Sequence, residues 1–337
     1  MSTTRHFLAT DQWSDGEVLD LLARARRLKE VPGGHELAGK VLAMVFFNPS
    51  LRTRASFEAA MLRHGGHAIL LEPGRGVWGF ETRPGVVMDG EAAEHLVEAA
   101  AVLGRYADAV AVRAFPAGDD LAAALADPVI RGFAAHAGVP VINMESARRH
   151  PCQGLADAMT IQEHLGPRPR GARFVLAWTW HPSPLPTAVP ASAALNAARL
   201  GMEVVLAHPP GWELDADDMG AIRTVAERSG GTVEVVHDLD AAVEGAQVVY
   251  AKSWGRLDLF GDPEAERAAR AGLRDWRIDG RRMGLTGSGR GLFMHCLPIR
   301  RNVVATDEVL DGPWSVVIDQ AENRLHVQRA VLLEVLS

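Results

Sequence analysis

Within five residues, Ser50-Leu51-Arg52-Thr53-Arg54, the chain places two hydroxyls, two guanidinium groups and a helix start. Ser50 is a natural N-cap, and the backbone N–H groups that follow it form an anion site favoured by the helix dipole. The Ser50 and Thr53 hydroxyls, with Arg52 gripping phosphate oxygens in bidentate fashion, would complete a phosphate cradle. A capped helix with solvated arginines has the same sequence, so this segment does not decide between function and plain structure. Arg113 closes a predicted strand in Val112-Arg113-Ala114-Phe115. His150-Pro151-Cys152-Gln153 follows another strand and loop, and His295-Cys296-Leu297-Pro298, with Arg300 just beyond, follows a third. Ligands of open α/β sheets bind beyond the carboxyl ends of the strands, where all three groups fall. Singly, each has a bland reading: a histidine before proline is commonly structural, and a cysteine at an apolar strand end is commonly inert core. The spacing of His150/Cys152 and His295/Cys296 does not close a zinc site, so no metal is expected.

The elements that must carry these groups alternate. Ser14-Asp15-Gly16-Glu17 reads as a capping box, and apolar residues at helical spacing carry the first helix to about Glu30. A continuous apolar run over 41–47 predicts a strand buried on both faces. After it come a helix over about 52–64, a strand over 68–71, a helix over 92–105, a strand over 109–113, a helix over 121–136 and a strand over 139–143. The second half has a helix after Gln153, strands over 173–179, 203–207, 232–236, 247–251 and 292–296, and helices over 188–200 and 216–229. A strand near 314–318 and a closing helix over 322–336 end the pattern. This predicts α/β architecture: two domains, each a doubly wound, mainly parallel sheet flanked by helices. Residues 1–150 form the first domain and 151–319 the second, and the helix over 320–337 is expected to return to the first. Residues 72–90, with five glycines and Trp78, form a loop long enough to suggest that it covers something.

Bulk properties narrow the classes. The 337 residues are 47% hydrophobic and 23% charged, with a net charge of −7, which argues against a nucleic-acid-binding surface. Two cysteines, Cys152 and Cys296, imply no disulfide framework and fit a reducing cytoplasm. No apolar run reaches membrane-spanning length, so no membrane association is expected.

Taken in order, Ser50-Leu51-Arg52-Thr53-Arg54, Arg113, His150-Pro151-Cys152-Gln153 and His295-Cys296-Leu297-Pro298 resemble the aspartate/ornithine carbamoyltransferase superfamily across essentially the whole chain. The resemblance implies the transcarbamylase fold, a carbamoyl-phosphate domain followed by an amino-acid domain, and a cytoplasmic homotrimer with shared active sites. It implies that Ser50, the Leu51 main chain, Arg52 and Thr53 hold the phosphate. Arg113, His150 and Gln153 would polarise the carbamoyl oxygen, and Arg300 and Arg324 would complete the grip on carbamoyl phosphate. Attack by a neutral amine builds negative charge on that oxygen, so fixed donors carry the catalysis. Phosphate leaves as a stabilised dianion, so no cofactor, metal or protein nucleophile is called for.

The acceptor is read elsewhere. The Ser-Met-Gly segment of ornithine carbamoyltransferases is missing, and Tyr250-Ala251-Lys252-Ser253-Trp254-Gly255 stands in its place. With Asn143-Met144-Glu145 and Trp180-His181-Pro182, this resembles the N-acylornithine branch, which acts in arginine biosynthesis. By that resemblance Glu145, His181, Lys252, Cys296 and Leu297 contact the acylated ornithine, and Trp78 reaches into a neighbouring subunit's site, where it joins the carbamoyl-phosphate set. Two acyl groups remain open. Acetyl-type enzymes carry glutamate at the place of Ala93 and a carboxylated lysine at the place of Val304, so this chain departs from them at both. Alanine at 93 removes a repulsion against a succinyl carboxylate. Residues 321–328, Ala-Glu-Asn-Arg-Leu-His-Val-Gln, look instead like the acetyl type. The reading leans to N-succinylornithine, with N-acetylornithine as the alternative and free ornithine behind both. A nicotinamide dehydrogenase is the rival class, but Gly287-Ser288-Gly289-Arg290-Gly291-Leu292 lacks the last glycine of a dinucleotide fingerprint and leads into a strand.

Overall fold

Continuous apolar runs such as Val41–Phe46 satisfy their backbone only inside a sheet covered on both faces, and the chain builds two such sheets. The computed structural model describes residues 5–336; residues 1–4 and 337, which the expected domain spans include, lie outside the described residues. Backbone proximity divides the chain into two units. One contains the described residues through Ala117, Ala122–Cys152 and the chain from Arg324; the other contains Gly118–Leu121 and Gln153–Asn323. The division thus falls at Cys152 rather than 150 and at Asn323 rather than 319.

In the first unit, β1 (Val41–Phe46), β2 (His67–Leu71), β5 (Ala109–Arg113) and β6 (Val141–Glu145) form a parallel sheet in the order β2-β1-β5-β6. The excursion between β2 and β5 contains β3 (Phe80–Glu81) and β4 (Glu94–His95), paired with each other in parallel. Consecutive strands β1 and β2 lie side by side and β5 joins the opposite flank of β1, so the winding reverses between β1 and β5. Such a switch point opens a crevice beyond the carboxyl ends of its two strands. Val45, Val110, Val112, Leu96 and Phe133 belong to the apolar core of this sheet.

In the second unit, β7 (Arg173–Trp178), β8 (Glu203–Ala207), β9 (Thr232–Val236), β10 (Val248–Lys252) and β11 (Leu292–Met294) form a parallel sheet in the order β11-β10-β7-β8-β9. Its winding reverses between β7 and β10. Val175, Val205, Val249, Phe293 and Val304 share an apolar cluster of this sheet.

Four expected elements differ. The helix over 121–136 is two, Leu121–Leu125 and Pro128–His136, because proline cannot continue a helix and Asp127 before it takes φ 53°. The strand near 314–318 reduces to an isolated bridge between Phe293 and Ser315. From Val317 the chain is helical to Leu336, since the Gln320 N–H already donates to the Val316 carbonyl at 2.9 Å. The residues 92–95 expected to open a helix instead include β4, and the helix spans Leu96–Tyr106 with His95 as its cap.

Candidate active site

The first unit gathers its polar groups at its switch point. Phe46 and Arg113, the last residues of β1 and β5, are paired in register. Beyond them the Phe47 N–H donates to the Arg113 carbonyl at 3.0 Å, and the Phe115 N–H donates to Asn48 Oδ1 at 2.7 Å. These bonds fix where Ser50 begins the helix Leu51–Leu62. Ser50 is extended and its hydroxyl accepts the Thr53 N–H at 3.3 Å, as an N-cap should. Thr53 is fully buried, and its hydroxyl oxygen accepts from Arg324 Nη2 at 2.7 Å.

A β-bulge sets the next contact. The register between β5 and β6 slips at Val112/Arg113, so Arg113 faces Glu145 rather than Met144. Arg113 Nη1 bonds to Glu145 Oε2, and His150 Nε2 lies 3.4 Å from the same oxygen. The Arg113 guanidinium stacks over Phe115 with 4.5 Å to the ring centroid. The loop leading to His150 is pinned by Asn143, which donates to Ser146 Oγ at 3.0 Å, and by Asp127, which accepts from Ser146 Oγ and the Ala147 N–H. Burial raises the Asp127 pKa against those hydrogen bonds.

Around Thr53, then, stand Arg324, Arg52 and Arg113, with Glu145 as counter-charge. Burial lowers the Arg324 pKa, and the neighbouring Arg113 and Arg52 push the same way while Cys152 and Glu145 oppose them. Arg52, Arg113 and Arg324 thus stand with Glu145 about one helix N-terminus, an arrangement suited to an anion. Burial pushes the Cys152 thiol up to about 12, so it is neither a nucleophile nor an anion near neutral pH.

The second unit repeats the arrangement. Lys252 ends β10 opposite Trp178, which ends β7, so both sit at the switch point. Lys252 is only 8% exposed. His181 follows β7. Its Nε2 accepts from Arg300 Nε at 3.0 Å, which assigns a neutral ring, and its Nδ1 lies 2.8 Å from the Ser183 carbonyl and 3.1 Å from the Ser183 N–H. Burial lowers its pKa, and the cations Arg300, Lys252 and Arg270 add to the effect. Arg270, ion-paired with Glu266 and only 1% exposed, donates to the carbonyls of His181 (2.7 Å) and Ser183 (3.2 Å) and so fixes this turn. Beyond β11, the Leu297 N–H donates to His295 Nδ1 at 2.9 Å. Leu297 adopts φ 55° and a cis bond to Pro298, and Cys296 is half-buried. Gln153 donates from Nε2 to Asp157 Oδ1 at 2.8 Å.

The structure distributes the expected residues over the two units. Glu145, expected with the acylornithine set, lies in the first unit against Arg113 and His150. Gln153 and Arg300, expected with carbamoyl phosphate, belong to the second unit. Val304 is 2% exposed and packs in the apolar core. Trp78 and the segment bearing Ala93 come together, because Trp78 Nε1 donates to Glu94 Oε2 at 2.6 Å and β3 pairs with β4. Both Trp78 and Ala93 are exposed. Sequence reasoning missed Asp157, Gln320, Arg270 and Glu266. A faint signal existed: Asp157 follows Gln153 by four residues on one helix, which puts them on one face.

Residues 5–163 match the carbamoyl-P binding domain of aspartate/ornithine carbamoyltransferase, and residues 186–335 match its Asp/Orn binding domain. The chain is 51% identical over 331 residues to an N-acetylornithine carbamoyltransferase of Xanthomonas campestris pv. campestris, covering 97% of this chain and 96% of the relative. An N-succinylornithine carbamoyltransferase of Bacteroides fragilis is 40% identical over 285 residues, covering 85% of this chain and 84% of the relative. Among solved structures, a glutamate-to-alanine mutant of N-acetyl-L-ornithine transcarbamylase complexed with carbamyl phosphate and N-succinyl-L-norvaline superposes with a TM-score of 0.96 at 50% identity. That match covers 98% of this chain and 99% of the other.

Proposed function

Because the chain belongs to the aspartate/ornithine carbamoyltransferase family, in its N-acylornithine branch, we propose that it transfers the carbamoyl group of carbamoyl phosphate to the δ-amine of N-acetyl-L-ornithine, a step of arginine biosynthesis. The observation that carries the donor half is the cluster of Arg52, Arg113 and Arg324 about Thr53 at the start of the helix Leu51–Leu62. Ser50, Thr53, the Leu51 main chain, Arg52 and Arg324 hold the phosphate. Arg113 and His150, set by Glu145, face the carbamoyl oxygen. The amine lone pair forms the new C–N bond as the carbonyl electrons move onto oxygen, where these donors stabilise them. Collapse breaks the C–O bond to phosphate, which leaves with that electron pair and takes up the proton shed by the nitrogen, departing as the hydrogen phosphate dianion.

For Gln153, the hydrogen bond to Asp157 supports a part other than polarising the carbamoyl oxygen. Its Nε2 donates to Asp157, so its carbonyl end is turned away from that carboxylate. It serves as an acceptor for the carbamoyl amino group rather than as a donor to the carbamoyl oxygen. In the acceptor half, Lys252 answers the α-carboxylate, and His181, Arg300, Cys296 and Leu297 position the acylated ornithine. The exposed apolar residues Leu51, Trp78, Val87 and Met88 of the first unit support burial against further copies of the chain, and a homotrimer is expected by light scattering.

The acetyl reading rests on overall likeness, since the N-acetylornithine relative is 51% identical and the N-succinylornithine relative 40%. One local observation favours N-succinyl-L-ornithine as the second reading. Ala93 is small and uncharged, and a glutamate-to-alanine mutant of an N-acetyl-L-ornithine transcarbamylase is complexed with N-succinyl-L-norvaline. A panel of N-acetylornithine, N-succinylornithine and ornithine with carbamoyl phosphate, read as ureido product, ranks them by kcat/KM. An acetyl-to-succinyl ratio above one supports the first reading and a ratio below one the second. Free ornithine as the best substrate refutes both, along with the role given to Lys252.

A further inference from the structure

Behind the residues assigned to substrate, the second unit buries a polar network. Asp157 is 1% exposed, on the helix Pro151–Leu165. One of its oxygens, Oδ1, accepts two amide donors: Gln153 Nε2 at 2.8 Å and Gln320 Nε2 at 2.6 Å. Gln320 is fully buried, and its own Oε1 accepts the main-chain N–H of His295 at 2.9 Å. His295 in turn accepts the N–H of Leu297. The Tyr250 phenol lies against Asp157 and Cys296, and burial together with those groups keeps it protonated.

A carboxylate only accepts, so it sorts the two amides that converge on it: nitrogen inward, oxygen outward. For Gln153 that fixes which end is presented to substrate. For Gln320 it fixes the oxygen that holds the segment bearing Cys296 and Leu297. One buried carboxylate therefore sets two pieces of the site, a donor-side amide and an acceptor-side turn, that are far apart in sequence. Buried polar networks of this kind can hold reacting groups in geometry.

We propose that Asp157 is a positioning residue for carbamoyl transfer, acting through Gln153 directly and through Gln320 on the His295–Leu297 segment. The proposal rests on the assignment of Gln153 to the carbamoyl group made above. It predicts that Asp157→Ala lowers kcat/KM by about 10- to 100-fold, and that Asp157→Asn, which keeps an oxygen acceptor in the same place, restores most of that loss.

The test is a double-mutant cycle with Gln153→Ala, using the best acceptor from the substrate panel and folded protein verified by thermal melting. If Asp157 works through Gln153, adding Asp157→Ala to Gln153→Ala costs less than about threefold more. A companion readout compares affinity for carbamoyl phosphate with that for acetyl phosphate, which has a methyl group in place of the amino group. Both Asp157→Ala and Gln153→Ala are expected to shrink the preference for carbamoyl phosphate, whereas general loosening weakens both ligands alike. Asp157→Ser, whose hydroxyl is too short to reach both amides, replaces Asp157→Ala if that variant does not fold. Fully multiplicative losses with an unchanged ligand preference overturn the proposal alone. A silent Gln153→Ala overturns the assignment of Gln153 and the proposal with it.

Discussion

Replacing Arg324 with methionine separates binding from stability, because the structure gives the two effects different sizes. Arg324 is 4% exposed, donates to Thr53 Oγ1 at 2.7 Å and sits among Arg52, Arg113 and Glu145. In the proposed phosphate-binding role its guanidinium would make charge-assisted hydrogen bonds, worth roughly 1.5–3 kcal/mol where water is excluded. Losing about 2–3 kcal/mol weakens carbamoyl phosphate binding about 30- to 150-fold. The folded protein without ligand feels far less. Methionine forfeits the bond to Thr53, about 1 kcal/mol, but it also removes a desolvated cation beside two others, which offsets a similar amount. Net stability then changes by no more than about 1 kcal/mol, or roughly 1–2 °C in Tm for a chain of this size. Isothermal titration with carbamoyl phosphate and with inorganic phosphate, alongside thermal melts of the unliganded protein, measures both quantities. Binding of both ligands within threefold of the parent would refute the anion-site reasoning. A melt lowered by 10 °C or more would instead make Arg324 a structural residue.

Other outcomes follow from single residues. Ala93→Glu is expected to lower kcat/KM for N-succinylornithine at least tenfold relative to N-acetylornithine by like-charge repulsion, and an unchanged ratio in the panel removes Ala93 as a specificity element. The His181 pKa is lowered in the folded chain, so between that value and about 6.5 the unfolded chain binds more protons. Stability contributed by His181 therefore rises with pH across that window and is lost as pH falls through it. His181→Asn should flatten this dependence in denaturant melts between pH 5 and 7, and an unchanged slope rejects the neutral-ring assignment. With burial pushing the Cys152 thiol up to about 12, a thiol reagent at pH 8 should find one fast-reacting cysteine, Cys296, and a second only after denaturation. Two fast thiols in the native protein would contradict the burial of Cys152.

Much of this molecule is written locally. The capping box at Ser14 forms as expected, with Glu17 Oε2 accepting the Ser14 N–H. Strands over 109–113, 203–207 and 232–236 and the helix over 216–229 lie where periodicity places them. The Ser50 cap also forms, because capping depends on residues only three apart. These features need nothing beyond neighbouring side chains and the alternation of apolar runs. Element ends were less legible where distant contacts decide them. The strand expected near 314–318 yields to a helix, since only Ser315 bridges β11 before the backbone turns to i→i−4 bonding.

What the sequence determined by itself was the family and the residues proposed to carry the chemistry: the capped Ser50–Arg54 segment and the basic and imidazole groups beyond strand ends. Tertiary structure decided which groups meet. The slip between β5 and β6 at Arg113 makes Glu145 the partner of Arg113 and His150, and no local pattern announces a bulge set by the neighbouring strand. Arg324 reaches Thr53 across 271 residues of chain, and Gln320 reaches Asp157 across 163. Periodicity reports which face of an element is buried, whereas the partner found on that face depends on how the sheets wind. The cradle is therefore legible in five consecutive residues, and the cluster of guanidinium groups that gives it charge exists only in the folded chain.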